Sequence, residues 1–217
     1  MNYFQYKPML RYFLYVISCL CFFSAHAQEV MLSVSETETF KNKVSETAQG
    51  SKTIVNTFTQ LKHIDFLSDD IKSSGELYFK SPNIIKWTYV NPYKYSVIFK
   101  DKKLYINDAG KKSDVNLASN KVFKKLNDLI AKSVSGDMLD DSQFSIDYYK
   151  NKQQYIAKLT PKDATLKNMF KHIVLSFTSQ KYLVKSVKLI EPSGDYTLIT
   201  FNNKSVNQPI PDAVFSH

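Results

Sequence analysis

Apolar residues recur with a period of two over most of this chain, and that alternation predicts a protein built mainly of β-strands. Gly75, Leu77 and Phe79 share one strand face, and Glu76, Tyr78 and Lys80 share the other. After a Ser81-Pro82-Asn83 turn, Ile85, Trp87 and Tyr89 alternate with Lys86 and Thr88. Asn91-Pro92 ends that run. Tyr95, Val97 and Phe99 then alternate with Lys94, Ser96 and Lys100, and Asp101-Lys102-Lys103 turns the chain into Leu104–Asn107. Upstream, Thr53–Lys62 is rich in β-branched residues and reads as a strand, with a loop over Asp65–Asp70. Downstream, Phe144, Ile146 and Tyr148 share a face of Phe144–Lys150. Tyr155, Ala157 and Leu159 answer them across the Asn151-Lys152 turn. His172–Thr178, Leu183–Glu191 and Tyr196–Asn203 supply the last strands. Short turns between successive strands make an antiparallel arrangement.

The period changes in three places. Ser35-Glu36-Thr37-Glu38 has the form of a capping box, and Phe40, Val44 and Ala48 follow at helical spacing before Gly50, which predicts an amphipathic helix over 36–49. Asn120 caps a second helix bearing Val122, Phe123, Leu126, Leu129, Ile130 and Val134, closed by Gly136. Ala164–Phe170 is a short helical link. The expected fold is mainly β (α+β): one antiparallel sheet of about ten strands with two or three helices. A sheet that long must curl. The amphipathic helices have to bury their stripes, so they should cover the concave apolar face. Where they close it loosely, the gap becomes a ligand cavity. The tail, Gln208-Pro209-Ile210-Pro211, is an extended finish with Phe215 as an anchor.

The N-terminus changes the picture. Lys7 and Arg11 precede an apolar run, Phe13–Phe23, and then Ala25-His26-Ala27. That order of basic, apolar and small residues is a secretory signal, so residues 1–27 read as a signal peptide and 28–217 as a single mature domain. The run is shorter than the ~20 residues of a spanning helix. Val16-Ile17-Ser18-Cys19 also has the form of a lipobox, which leaves open a chain anchored by a lipid on Cys19. Both cysteines, Cys19 and Cys21, lie in the signal. The mature domain therefore excludes disulfides, thiolate catalysis and cysteine metal sites. Without Lys7 and Arg11, 27 basic residues stand against 20 acidic ones, a formal charge of +7 spread along the chain. Lys80 and Lys86 read as solvated. Nucleic acid is not an expected partner of an exported domain, and a monomer is expected.

Catalysis finds no support. His63, His172 and His217 have no partner at metal-ligand spacing, and the Asp69-Asp70 and Asp140-Asp141 pairs lack calcium-loop spacing. No nucleophile elbow or phosphate loop is present. The expectation is a binding protein that is not an enzyme, with no cofactor and no metal.

Phe58-Thr59-Gln60, Gly75-x-Leu77-x-Phe79-Lys80-x-Pro82-Asn83, Trp87-x-Tyr89-x-x-Pro92 and Asp101-x-Lys103-x-Tyr105 together resemble the LolA family of outer-membrane lipoprotein carriers, within the LolA/LolB half-barrel superfamily. The likeness is densest over residues 57–107. It implies an open half-barrel with a helical lid, working in the periplasm. The implied cargo is the acyl chains of lipoproteins, received from an inner-membrane lipoprotein-releasing ABC transporter and passed to an outer-membrane acceptor. A lipid-anchored LolB-like receptor, or a LolA-like binder of a glycolipid or pigment lipid, are the alternatives. On this reading the cavity is lined by Phe58, Leu77, Phe79, Trp87, Tyr89, Val97, Phe99, Phe123, Leu126, Leu129 and Ile130. The sequence departs from the family where Ser81 and Lys86 replace arginines and Lys102 replaces a turn glycine. An arginine latch on the lid therefore does not carry over.

Overall fold

The computed structural model describes residues 29–116, 132 and 138–217. The segment read as a signal, 1–27, lies outside them, as does all of the helix expected over 120–136 except Lys132. In chain order the elements begin with β1 (Val30–Met31), α1 (Val34–Gly50), β2 (Thr53–His63), β3 (Ile71–Lys80) and β4 (Ile84–Asn91). β5 (Tyr95–Lys100), β6 (Lys103–Asp108), β7 (Lys111–Asn116), β8 (Phe144–Lys150) and β9 (Gln154–Pro161) follow. α2 (Ala164–Met169), β10 (His172–Thr178), β11 (Val184–Ile190), β12 (Tyr196–Val206) and a 3-10 turn (Asp212–Phe215) complete the chain.

All strands belong to one sheet with the order β1-β8-β9-β10-β11-β12-β2-β3-β4-β5-β6-β7. Every pairing is antiparallel, and the edge strands β1 and β7 do not meet, so the sheet curls without closing. Among the described residues twelve strands stand where the alternation predicts about ten. The two additional strands are the edges: β1 has two residues, and β7, Lys-Lys-Ser-Asp-Val-Asn, has no apolar alternation. Edge strands need only one partner and face water, so their sequence carries little pattern, and the lysines of β7 discourage pairing with another chain.

α1 starts earlier than its sequence suggests. The capping box uses Ser33 and Glu36, not Ser35 and Glu38: Ser33 Oγ accepts from the Glu36 amide at 3.3 Å, and Glu36 Oε2 accepts from the Ser33 amide at 3.0 Å. The reason is tertiary. The Leu32 amide donates to the Tyr148 carbonyl at 2.9 Å, which ties the strand that precedes the helix to β8 and leaves Ser33 as the first free cap. Glu36 also pairs with Lys150 of β8. The Lys150 hydrogen bond, followed by those from Ser33, holds the Glu36 carboxyl down to about 2. Farther along, Lys41 Nζ reaches Asp141 at 2.7 Å and Thr47 Oγ1 donates to the Lys181 carbonyl at 3.2 Å.

The apolar face of α1 is pressed on the sheet. Phe40 and Val44 are each 1 % exposed. The Phe40 ring stacks on Tyr155 at 4.8 Å and meets Phe177 edge-on at 5.2 Å and Tyr148 at 6.0 Å. Burying one such ring stabilises by ~2–3 kcal/mol. The face that carries α1 is the inner face of the sheet.

The outer face is crossed by the C-terminal tail. Ile210 and Phe215 are buried, as the anchor reading requires. Lys80 Nζ pairs with Asp212 at 2.7 Å and Lys86 Nζ donates to the Val214 carbonyl at 2.8 Å. Lys80 is solvated as expected and its partner Asp212 is exposed, whereas Lys86, also expected to be solvated, is half-buried against the tail. Pairing register puts both on the outer face, so Lys86 has no route to a lid on the inner one.

Candidate functional site

The antiparallel register lines up residues from seven strands into rows that cross the inner face. One row runs Ile54, Phe79, Ile85, Phe99, Leu104, Val115. The next runs Asn56, Leu77, Trp87, Val97, Ile106, and the third runs Phe201, Phe58, Gly75, Tyr89, Tyr95. Side chains alternate across a strand, so these positions share one side of the sheet and the intervening lysines and threonines take the other.

The described members of the expected lining therefore come together. Phe58, Leu77, Phe79, Trp87 and Phe99 are buried in one apolar cluster, with Tyr89 and Val97 packed against it. Phe123, Leu126, Leu129 and Ile130 lie outside the described residues. The Phe58 and Trp87 ring centres are 4.4 Å apart, and Trp87 meets Phe201 edge-on at 6.1 Å. Tyr89 touches Phe58 at 5.2 Å and Tyr93 at 5.5 Å, so the aromatic series runs from the buried indole to Tyr93, which is 49 % exposed.

Gly75 makes this packing possible. A β-carbon there would sit 2.7 Å from Phe58 Cζ and 1.9 Å from the Thr88 carbonyl oxygen. The absent side chain lets the Phe58 ring lie across β3 at a register shift between Ser74 and Gly75.

The face is almost free of charge. On β2 to β5 its one ionisable cation is Lys62, at the rim, which pairs with Glu191 at 3.3 Å. Tyr89 donates its hydroxyl to Gln60 Oε1 at 2.9 Å, and burial pushes its pKa up to about 12, so it stays a neutral phenol. The second half of the inner face, under α1, continues the pattern with Tyr148, Ala157, Leu159, Ile173, Leu175, Phe177 and Val187. Contact of this kind is non-directional and tolerates ligands of varied length. Among the described residues no three His, Cys, Asp or Glu side chains are grouped to hold a metal.

Several inner-face residues were not singled out from the sequence. Ile54, Ile85 and Leu104 have the same parity as their neighbours and were open to counting. Phe201 was not, because it enters through the pairing of β12 with β2, which are far apart in the chain. Asn56 was hidden for the opposite reason: it is a polar residue at an apolar position. The sequence also missed a rim cluster on the outer face. His63 Nδ1 lies 2.7 Å from Asp70 Oδ1, its Nε2 lies 3.2 Å from Asp65 Oδ1, and its ring stacks on Tyr196 at 4.9 Å. The Asp70 hydrogen bond, more than that of Asp65, raises the His63 pKa.

Comparison with known proteins agrees with this architecture. The sequence profile described as "Outer membrane lipoprotein carrier protein LolA" matches residues 49–217. The chain is 28 % identical over 175 residues to the outer-membrane lipoprotein carrier protein of Pseudomonas putida (strain GB-1), covering 80 % of this chain and 81 % of that one. It is 27 % identical over 194 residues to the protein of the same description from Pseudomonas entomophila (strain L48), covering 88 % and 86 %. Among solved structures, the lipoprotein LppX of Mycobacterium tuberculosis superposes with a TM-score of 0.51 at 8 % identity, over 82 % of this chain and 99 % of that one, a likeness of fold.

Proposed function

We propose a carrier function for this chain, which belongs to the LolA family of outer membrane lipoprotein carrier proteins. It binds the acyl chains of lipoproteins against the inner face of the sheet and carries them through the periplasm from the inner to the outer membrane. An inner-membrane ABC transporter is the donor and an outer-membrane protein the acceptor. Export and cleavage after Ala27 place the mature domain where that work is done.

The observation that carries this reading is the continuous apolar inner face of an unclosed sheet. An unclosed sheet leaves one side of that face to be covered by helices, which can move aside for a ligand as a closed ladder of strands cannot. Acyl chains left in water cost ~0.8 kcal/mol per CH₂, so a lipid with several long chains has to be matched by a large apolar surface. The rings of Phe58, Trp87 and Phe99 supply such a surface mainly through apolar contact. They are buried here, so acyl chains reach them by displacing the contacts that cover them.

Trp87 is the single tryptophan of the chain, which gives a direct test. Titration with a triacylated lipopeptide should change the Trp87 emission saturably, and native mass spectrometry of protein from its own periplasm should show acylated species that the lipopeptide displaces. A clean unliganded mass, with no response of Trp87 to the lipopeptide, would overturn the carrier reading.

A further inference from the structure

We propose that Asn56 and Trp87 form a polar recognition point inside the apolar face, and that it selects acyl chains held by a secondary amide over those held only by esters. The inference rests on the carrier reading above.

Asn56 is 4 % exposed and Trp87 7 % exposed. Asn56 Oδ1 and Trp87 Nε1 are both buried without a hydrogen-bond partner. The Trp87 and Tyr89 ring centres are 6.3 Å apart, and the Tyr89 hydroxyl gives its proton to Gln60 Oε1 at 2.9 Å. Two other buried polar atoms share this condition, but Thr88 Oγ1 belongs to the outer face and Tyr148 OH stands under α1, against Phe40. A buried polar group without a partner costs about 1–3 kcal/mol. Two of them on one row of a mainly apolar face need an account.

The chemistry of the pair narrows that account. Oδ1 needs a donor, and the indole N–H can only donate, so it needs an acceptor. Asn56 pairs with Leu77 and Leu77 with Trp87, so the two polar residues flank Leu77 on neighbouring strands. Their backbones are about 10 Å apart, at ~4.8 Å per strand. A trans secondary amide shows its N–H and its C=O on opposite edges of one plane. Lying over Leu77, it gives its N–H to Asn56 Oδ1 and takes the Trp87 N–H on its oxygen, with its acyl chain running along the aromatic row. An ester offers acceptors alone and leaves Asn56 Oδ1 unsatisfied. The acyl chains supply most of the affinity, and the amide supplies the register in which the cargo sits.

Two synthetic lipopeptides test this. Both carry the same three palmitoyl chains, two through esters and one through the terminal amide, and they differ only by a methyl group on that amide nitrogen. Wild-type protein should bind the N–H peptide about tenfold more tightly than the N-methyl peptide, the worth of one buried hydrogen bond. Asn56→Leu should bring that ratio to about one while holding the N-methyl peptide as tightly as wild type does. Asn56→Ala serves the same purpose if leucine is not accommodated. Equal binding of both peptides by wild type, or a ratio that survives in the Asn56 variants, overturns the inference and leaves the carrier reading intact. Failure of wild type to bind either peptide overturns both.

Discussion

Replacing Gly75 by alanine puts a methyl carbon 1.9 Å from the Thr88 carbonyl oxygen and 2.7 Å from Phe58 Cζ. An ordinary C···O contact is about 3.3 Å or longer, so β3 and β4 have to part by more than 1 Å. No rotamer change relieves this, because the obstructing oxygen belongs to the backbone of the paired strand. Overpacking costs about 1–3 kcal/mol, and a strained ladder hydrogen bond adds about 1 kcal/mol. We expect Gly75→Ala to lose about 2–4 kcal/mol, read from the urea midpoint with the m-value unchanged. At ~2–4 °C per kcal/mol for a domain of this size, Tm should fall by about 10 °C. Trp87 adjoins Thr88, pairs with Leu77 two residues from Gly75, and meets Phe58 at 4.4 Å, so its emission should shift in the native state as well. Gly50→Ala is the matched control. A β-carbon at Gly50, in the last turn of α1, meets nothing within 4 Å. That variant should be neutral or more stable by up to ~1 kcal/mol, since alanine favours the helix. If Gly75→Ala unfolds at the same urea concentration as wild type, the close approach of Phe58 to β3 is not what shapes this face.

Three further outcomes follow from the packing and electrostatics. Phe40→Ala should cost ~3–5 kcal/mol in urea unfolding, because the ring fills a space enclosed by Tyr148, Tyr155 and Phe177; a loss under 1 kcal/mol would mean that α1 is not docked in solution. Lys102→Gly should raise stability by about 1 kcal/mol, read as a higher Tm, because Lys102 holds φ 60° in the β5–β6 turn, a conformation that glycine adopts without strain. The raised pKa of His63 gives a pH dependence with a definite sign. Protonated His63 stabilises the fold, fully so below its unfolded value near 6.5, and that contribution is lost as pH rises through the higher folded value. The urea midpoint of wild type minus that of His63→Gln should therefore shrink from pH 6 upwards, and a flat difference between pH 5.5 and 9 would refute the Asp70 pairing.

How much of this was legible beforehand differs by element. The meander from β2 to β6 was readable because each strand has one wet and one dry face, and a period of two is the direct imprint of that condition on the residues. Its partition placed Leu77, Phe79, Trp87, Tyr89, Val97 and Phe99 on one side before any coordinates, and the pairing register agrees. β8 and β10 were bounded to the residue for the same reason. The edges were not readable, because β7 is polar on both faces and β1 is two residues long. The start of α1 was misplaced by two residues, since Ser33 and Ser35 are equally good caps and the choice was made by the Leu32 amide bonding to β8.

The sequence by itself determined the class of the protein: an apolar-faced antiparallel sheet with a covering helix, and no cysteine after Cys21. Those properties are local, and each is written in a few neighbouring residues. Only the tertiary structure decided which strands meet across the chain. β12 joins β2 and β1 joins β8, and these pairings bring Phe201 to Phe58 and place Asn56 beside the Leu77–Trp87 pair. It also turned Lys86 from a solvated charge into a fastening for the tail. Such facts depend on register between distant segments. Register is set by the summed burial of a whole face, because a slip of one residue would turn every side chain to the other side.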